Sequence, residues 1–228
     1  HNQSASKTEY IIKSLLSKSF DKYSQKYGLK FIGELLQEAN YGTSQYCDYN
    51  NTPETTPVLR IPNVAFERID LSDLKYVVLP QSELARVLVK EKDVLVVRTN
   101  GSLDLVGRSA VVPALDRETA FASYLIRLKC DWGLILPEYL QIMLKHLRFK
   151  GHLIDLARTT AGQYNVSLGR LRTAKIPVPP VNEQKRFMQG INNFQNHIDD
   201  LKTHRTEIQK KINAILPSIL DKAFKGES

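Results

Sequence analysis

From Phe187 to Ile215 the chain alternates spacings of four and three between the positions Phe187, Ile191, Phe194, Ile198, Leu201, Arg205, Ile208, Ile212 and Ile215. Only Arg205 among them is polar. This repeat keeps one stripe of a helix turned toward a single partner, and it predicts a long helix over about 183–215 with a coiled-coil seam. Asn182, just after Pro179-Pro180, is the expected N-cap, and Glu183 suits the positive end of the helix dipole. Such a helix spans roughly 50 Å at 1.5 Å per residue. A helix lying on its own domain does not need that length, so the seam predicts a partner helix.

The other end of the chain carries a related pattern. "SLLSKSF" at 14–20 matches "SILDKAF" at 218–224 in its Ser, Leu, Lys and Phe positions, as two copies of one helical ending would. The expected organisation is a helical stub over 1–27, a globular domain over 28–180 and a spacer or dimerisation helix over 181–228. The middle segment reads as a mixed α/β domain. Its strand-like runs "PVLRIPNV", "LKYVVLP", "KDVLVVRT", "GRSAVVP", "ASYLIRLK" and "AKIPVP" are rich in Val, Ile and Tyr and bounded by Pro, Gly and Asn. "LVVRT" and "GRSAVV" flank Asn100-Gly101 and predict a hairpin. "PEYLQIMLKHLRFKGHLIDLA" predicts a helix opened by Pro137 and broken near Gly151.

Composition adds a core and a charge. Hydrophobic content of 42% and charged content of 25% are ordinary for a packed domain. The net charge of +8 favours a polyanionic partner, nucleic acid ahead of a membrane surface. No apolar run is long enough to span a bilayer. The opening "HNQSASKTEY" resembles neither a signal peptide nor an initiator region, and reads as a fragment boundary. Cys47 and Cys130 lie far apart without metal-ligand spacing, and are expected as reduced thiols in a cytoplasmic protein.

The charge is concentrated. Lys145, Arg148, Lys150, Arg158, Arg170, Arg172 and Lys175 face one acid, Asp155, over 145–175. The run leads into "RTTAGQYNVSLGRLR" (158–172), whose hydroxyls and amides suit phosphates and base edges better than a plain turn requires. Catalytic signatures are absent from the pattern. There is no GK[ST] phosphate loop and no GxGxxG turn, and the five histidines are scattered. "VPP" is followed by Val181 rather than an aromatic, and "EQK" at 183–185 has no preceding Asp. We therefore expect no catalytic centre, metal or cofactor on this chain.

Three segments carry a family likeness. "DVLVVRTNGSLDLVGRSAVV", "TTAGQYNVSLGRLRTAKIPVPPVNEQKRF" and "ILPSILDKAFKGE" closely resemble the specificity subunit of type I restriction-modification systems, with the motifs in the family's order. The resemblance implies a target-recognition domain followed by a long helix. Full-length members carry two such units whose helices pair antiparallel. This chain has one, so it fits either a half-length subunit that homodimerises or part of a longer one.

The likeness also implies partners: double-stranded DNA, and modification and restriction subunits that carry AdoMet, ATP and Mg. It makes 158–172 a DNA-facing loop that begins at the DNA-binding candidate Arg158, with Arg170 and Arg172 toward phosphates, Gln163 toward bases or bracing the loop, and Tyr164 as a stacking or backbone contact. For Asn165 and Ser167, bracing and direct contact stay equally open. Arg98, Asn100, Gly101 and Ser102 form a second expected patch, and the 42–45 stretch with Ser44 and Gln45 a third. Dimerisation falls to Phe187, Ile191, Phe194, Ile198, Leu201, Ile208 and Ile212. The alternatives are a standalone nuclease or methylase fragment, or a coiled-coil adaptor.

Overall fold

The computed structural model describes the backbone of residues 2–160 and 162–225, and side chains within 10–153, 155–157, 162–215 and at 217. The chain divides into two compact units, residues 1–184 and 185–228. The first unit opens with α1 (Asn2–Tyr27), β1 (Leu29–Phe31), a 3-10 turn (Ile32–Leu35) and β2 (Leu36–Tyr41). There follow β3 (Thr56–Leu59), α2 (Ile61–Val64), β4 (Lys75–Val77), α3 (Gln81–Val87), β5 (Val94–Val97) and β6 (Thr99–Asn100). Next come β7 (Ser109–Val111), β8 (Ala120–Phe121), β9 (Leu125–Cys130), α4 (Pro137–Phe149) and α5 (His152–Asp155). The order closes with β10 (Arg158–Thr160), β11 (Gln163–Asn165), α6 (Leu168–Thr173), β12 (Lys175–Pro177) and α7 (Val181–Lys225).

The core sheet runs β2-β9-β5-β7, with every pairing antiparallel. Its middle strand β5 is the fully buried "VLVV", as expected of a strand covered on both faces. On β9 the buried Arg127 donates to Leu88 O, to Asn40 Oδ1 at 3.0 Å and to Glu38 Oε1 at 2.5 Å. Asp93, 3.9 Å away, is buried enough to push its carboxyl up. A second sheet, β4-β3-β8, packs with the first around Phe121, Leu59, Val64 and Leu95.

Some expectations change in detail. "PVLRIPNV" is a strand only to Leu59; Pro62 then opens one helical turn. Asn63 closes the loop behind it, accepting from Arg60 N at 2.8 Å and donating to Asp70 O and Asp73 O. The break at Gly151 is present, because that residue has φ +79° and separates α4 from α5. Both cysteines are free; burial pushes the Cys130 thiol up to about 12.

Helix α1 packs on α4 and β12. Leu16 is fully buried, and Phe20 stacks on His146 with ring centroids 4.4 Å apart. Strand β1 pairs with β12, so the strand after α1 lies beside the one leading to Pro180. Buried Gln184 locks that region: its amide donates to Leu134 O and Pro179 O, both at 2.8 Å, and accepts from Leu136 N at 2.9 Å. Gln184, which closes the "PPVNEQ" stretch at 179–184, is thus a hydrogen-bonded anchor at the start of α7.

Helix α7 begins at Val181, with Pro180 O accepting from Glu183 N and Gln184 N, so Asn182 lies in the first turn rather than at the cap. It runs beyond the expected end at 215, through Pro217 to Lys225, about 68 Å at 1.5 Å per residue. Thr203, Thr206 and His204 each donate to the carbonyl four residues back, so these side chains are spent on their own helix. Along the seam, Phe187, Ile191, Phe194 and Ile198 are half-buried. Leu201 (68% exposed), Ile208 (57%), Ile212 and Ile215 are open to solvent. Asp199 pairs with Lys202 at 2.9 Å, and Arg205 has no ion pair among the described residues. Among the described residues no helix is long and apolar enough to cross a membrane.

Candidate nucleic-acid interface

Two polar segments far apart in sequence meet in one small sheet of order β10-β11-β6. Gly162, with φ +77°, lies in the turn of the β10–β11 hairpin. Strand β11 then pairs with β6, Tyr164 opposite Asn100 and Asn165 opposite Thr99. The ladder continues through Val166 N to Arg98 O at 2.8 Å. The expected 94–111 hairpin does form, since β5 pairs with β7. Its long connection, however, leaves the core sheet at Thr99 to join the loop strands. The first and second expected patches are therefore one surface.

Several of its groups brace the ladder. Arg98 Nε donates to Asn165 Oδ1 at 3.3 Å, and its guanidinium lies 4.3 Å from the centre of the Tyr41 ring. Tyr41 Oη accepts from Leu168 N at 2.7 Å. Sequence reasoning missed Tyr41, whose only signal was its place beside the polar 42–45 stretch. Ser167 caps α6 through Arg170 N at 3.3 Å. Arg170 Nη1 donates to Leu156 O at 2.9 Å, tying the loop to the end of α5. In the Gly-Gln-x-Asn-x-Ser motif, Gly162 turns, Asn165 braces and Ser167 caps.

Other groups point to solvent. Gln163 is exposed and makes only a marginal 3.5 Å contact, accepting from Thr99 Oγ1. Asn100 Oδ1 accepts from Ser102 N at 2.7 Å, which shapes an exposed tip around Gly101. Gly101 is not held to glycine by space, because a Cβ there meets nothing within 4 Å. Tyr164 is half-buried and Arg172 exposed. The backbone of Arg158 belongs to β10, while its side chain lies outside the described residues. Ser44 and Gln45 are exposed in the stretch after Tyr41.

The basic run of 145–175 does not form one face. Lys145 and Arg148 both bind Glu67, at 2.5 and 2.8 Å. Lys175 lies over the Phe31 ring, and Arg170 is occupied as above. Lys150 and Arg172 remain exposed. Among the described residues no three His, Cys, Asp or Glu side chains gather as a metal site.

This arrangement offers amide, hydroxyl and guanidinium groups on a braced scaffold, the chemistry of phosphate and base-edge contacts. The model of the type I restriction modification DNA specificity domain matches residues 22–214. The chain is 28% identical over 172 residues to the type I restriction enzyme EcoKI specificity subunit of Escherichia coli strain K12, covering 75% of this chain and 37% of that one. It is also 28% identical over 171 residues to the type I restriction enzyme MjaX specificity subunit assigned in Methanocaldococcus jannaschii, with the same coverages. The chain thus spans well under half the length of these relatives. Its fold is similar to the HsdS subunit from Thermoanaerobacter tengcongensis, with TM-score 0.59, 17% identity, and coverage of all of this chain and 58% of that one. A second structure, from work on assembly and conformational transition of the type I R-M system, gives TM-score 0.70 at 18% identity, covering all of this chain and 54% of that one.

Proposed function

The chain belongs to the type I restriction-modification DNA specificity family, and from that premise we propose that it is a non-catalytic, sequence-specific DNA-binding unit. The observation that carries this reading is the β10-β11-β6 ladder, which joins Gln163 and the Asn100–Ser102 tip into one braced polar surface. Exposed Gln163 is the base-reading group, since a free amide can pair bidentately with adenine. Arg172, Ser44 and Gln45 position the duplex, and Arg98 braces the ladder beneath them through Asn165 and the Tyr41 ring. Modification and restriction subunits dock on the chain and supply AdoMet, ATP and Mg in the cytoplasm. The family match supports neither a standalone nuclease or methylase nor a coiled-coil adaptor. Anisotropy titration with duplex DNA tests the reading. Binding should weaken steeply as salt rises, because phosphate contacts release counterions. Absence of duplex binding at low salt contradicts it.

The exposed seam supports a second element of the proposal. Leu201, Ile208 and Ile212 form an apolar stripe that a single copy leaves in water. A second copy, paired antiparallel through α7, covers it and sets two recognition units at a fixed separation. Arg205 then meets Asp199 or Asp200 of the other copy, or extends to solvent, at some cost in stability. Sedimentation equilibrium at tens of micromolar should show a dimer that Ile208→Asp converts to monomer. A monomer in both proteins removes the homodimer.

A further inference from the structure

Beside the ladder lies a groove of about 510 Å³, lined by residues 43–47, by Arg60, Pro62 and Lys75, and by Ser123 and Tyr124. Its backbone is fixed in advance. A Cβ at Gly42 would lie 2.0 Å from Phe121 O, so only glycine permits the approach of these two segments. Thr43 N donates to Phe121 O at 2.8 Å and Ser123 N donates to Thr43 O at 2.7 Å. Thr43 Oγ1 donates to Glu83 at 2.7 Å and accepts from Gln45 N at 3.1 Å.

The lining combines exposed aromatic rings with cations. Tyr46 is 83% exposed and Tyr124 55%. Lys75 Nζ lies 4.9 Å from the Tyr49 ring and makes no ion pair among the described residues. Arg60 holds Asp73 through Nη2 at 2.9 Å, yet its Nε is buried with no hydrogen-bond partner among the described residues. The neighbouring acids are engaged: Asp73 by Arg60, and Asp48 by accepting from Asn50 N at 2.9 Å.

The groove adjoins the ladder. Tyr124 O accepts from Arg98 N at 3.0 Å, and Gly42 directly follows Tyr41, whose ring carries the Arg98 guanidinium. We propose that this groove seats the sugar–phosphate backbone of the DNA that the ladder reads. Lys75 and Arg60 serve the phosphate oxygens together with the Ser44 and Ser123 hydroxyls, and Tyr46 and Tyr124 pack against the sugars. Cations and hydroxyls of this kind position a duplex without reading its sequence. The inference rests on the DNA-binding reading above.

The test titrates the full chain with a random-sequence duplex across a salt series. Lys75→Gln should lower the salt slope by about 0.9, the value for one lost phosphate contact. Tyr46→Ala should weaken binding equally on every sequence; its side chain stands in solvent, so its thermal melt should match the parent. Unchanged slope and affinity in both variants, while Arg172→Glu still lowers the slope, overturns the groove and leaves the DNA reading standing. A parent chain that binds no duplex overturns both.

Discussion

Arg98 Nε donates to Asn165 Oδ1 at 3.3 Å, joining two positions 67 residues apart in the chain. The contact holds β6 against β11 while the Tyr41 ring supports the same guanidinium from beneath. A residue that braces the surface affects every DNA sequence alike. Asn165→Ala should therefore cost about 1 kcal/mol of stability, the net worth of one hydrogen bond. It should weaken cognate and random duplexes by the same factor. Thermal melts with paired titrations check this, and a loss confined to one base position would instead make Asn165 a reader.

Arg170 and Arg172 should separate, although they are two positions apart. Arg170 is tied to Leu156 O, so Arg170→Gln should destabilise by about 1 kcal/mol and leave the salt slope nearly unchanged. Arg172 is exposed, so Arg172→Glu should alter stability by less than about 0.5 kcal/mol and lower the slope. Denaturant unfolding beside a salt series measures both. Equal losses of slope would place Arg170 on phosphate as well.

His146 should make the fold acid-sensitive. Burial against Phe20, reinforced by Lys150, pushes its imidazole down to about 4 from the ordinary 6.5. Between those values the unfolded chain takes up a proton that the folded one refuses. Stability is thus fully present above pH 6.5 and is lost as pH falls toward 4, by about 3 kcal/mol in total. His146→Phe keeps an aromatic ring against Phe20 and should flatten that dependence. Urea unfolding at pH 7 and 4.5 reads the difference, and an equally steep loss in the variant would exclude His146.

Local signals carried much of this fold. The apolar run 94–97, the Pro137 helix start, the Gly151 break and the 4-3 seam each announce their element within a few residues. The β6 and β10–β11 strands do not, because they are two or three polar residues long, and β6 and β11 pair with each other across some 60 positions of chain. The charge run misled for a related reason: Glu67 takes Lys145 and Arg148 from a loop distant in sequence. The 4-3 seam ends at Ile215, whereas α7 continues through Pro217 to Lys225, within the 181–228 helical segment expected from the sequence. Within the candidate surface, the sequence supplied the polar residues but not which of them are occupied. Tyr41 lay outside every motif, and its role appears only once its hydroxyl meets Leu168 N.

Selection from a random duplex pool at physiological salt decides whether the braced ladder reads base sequence through Gln163. The parent chain should enrich one motif, an inverted repeat with a fixed uncontacted spacer when two copies pair through α7. Gln163→Ala should relax preference at one position of each half-site, costing about 1–3 kcal/mol on the enriched sequence. A pool that emerges without enrichment excludes sequence reading by this chain, and a Gln163→Ala profile identical to the parent's excludes Gln163 as the reader.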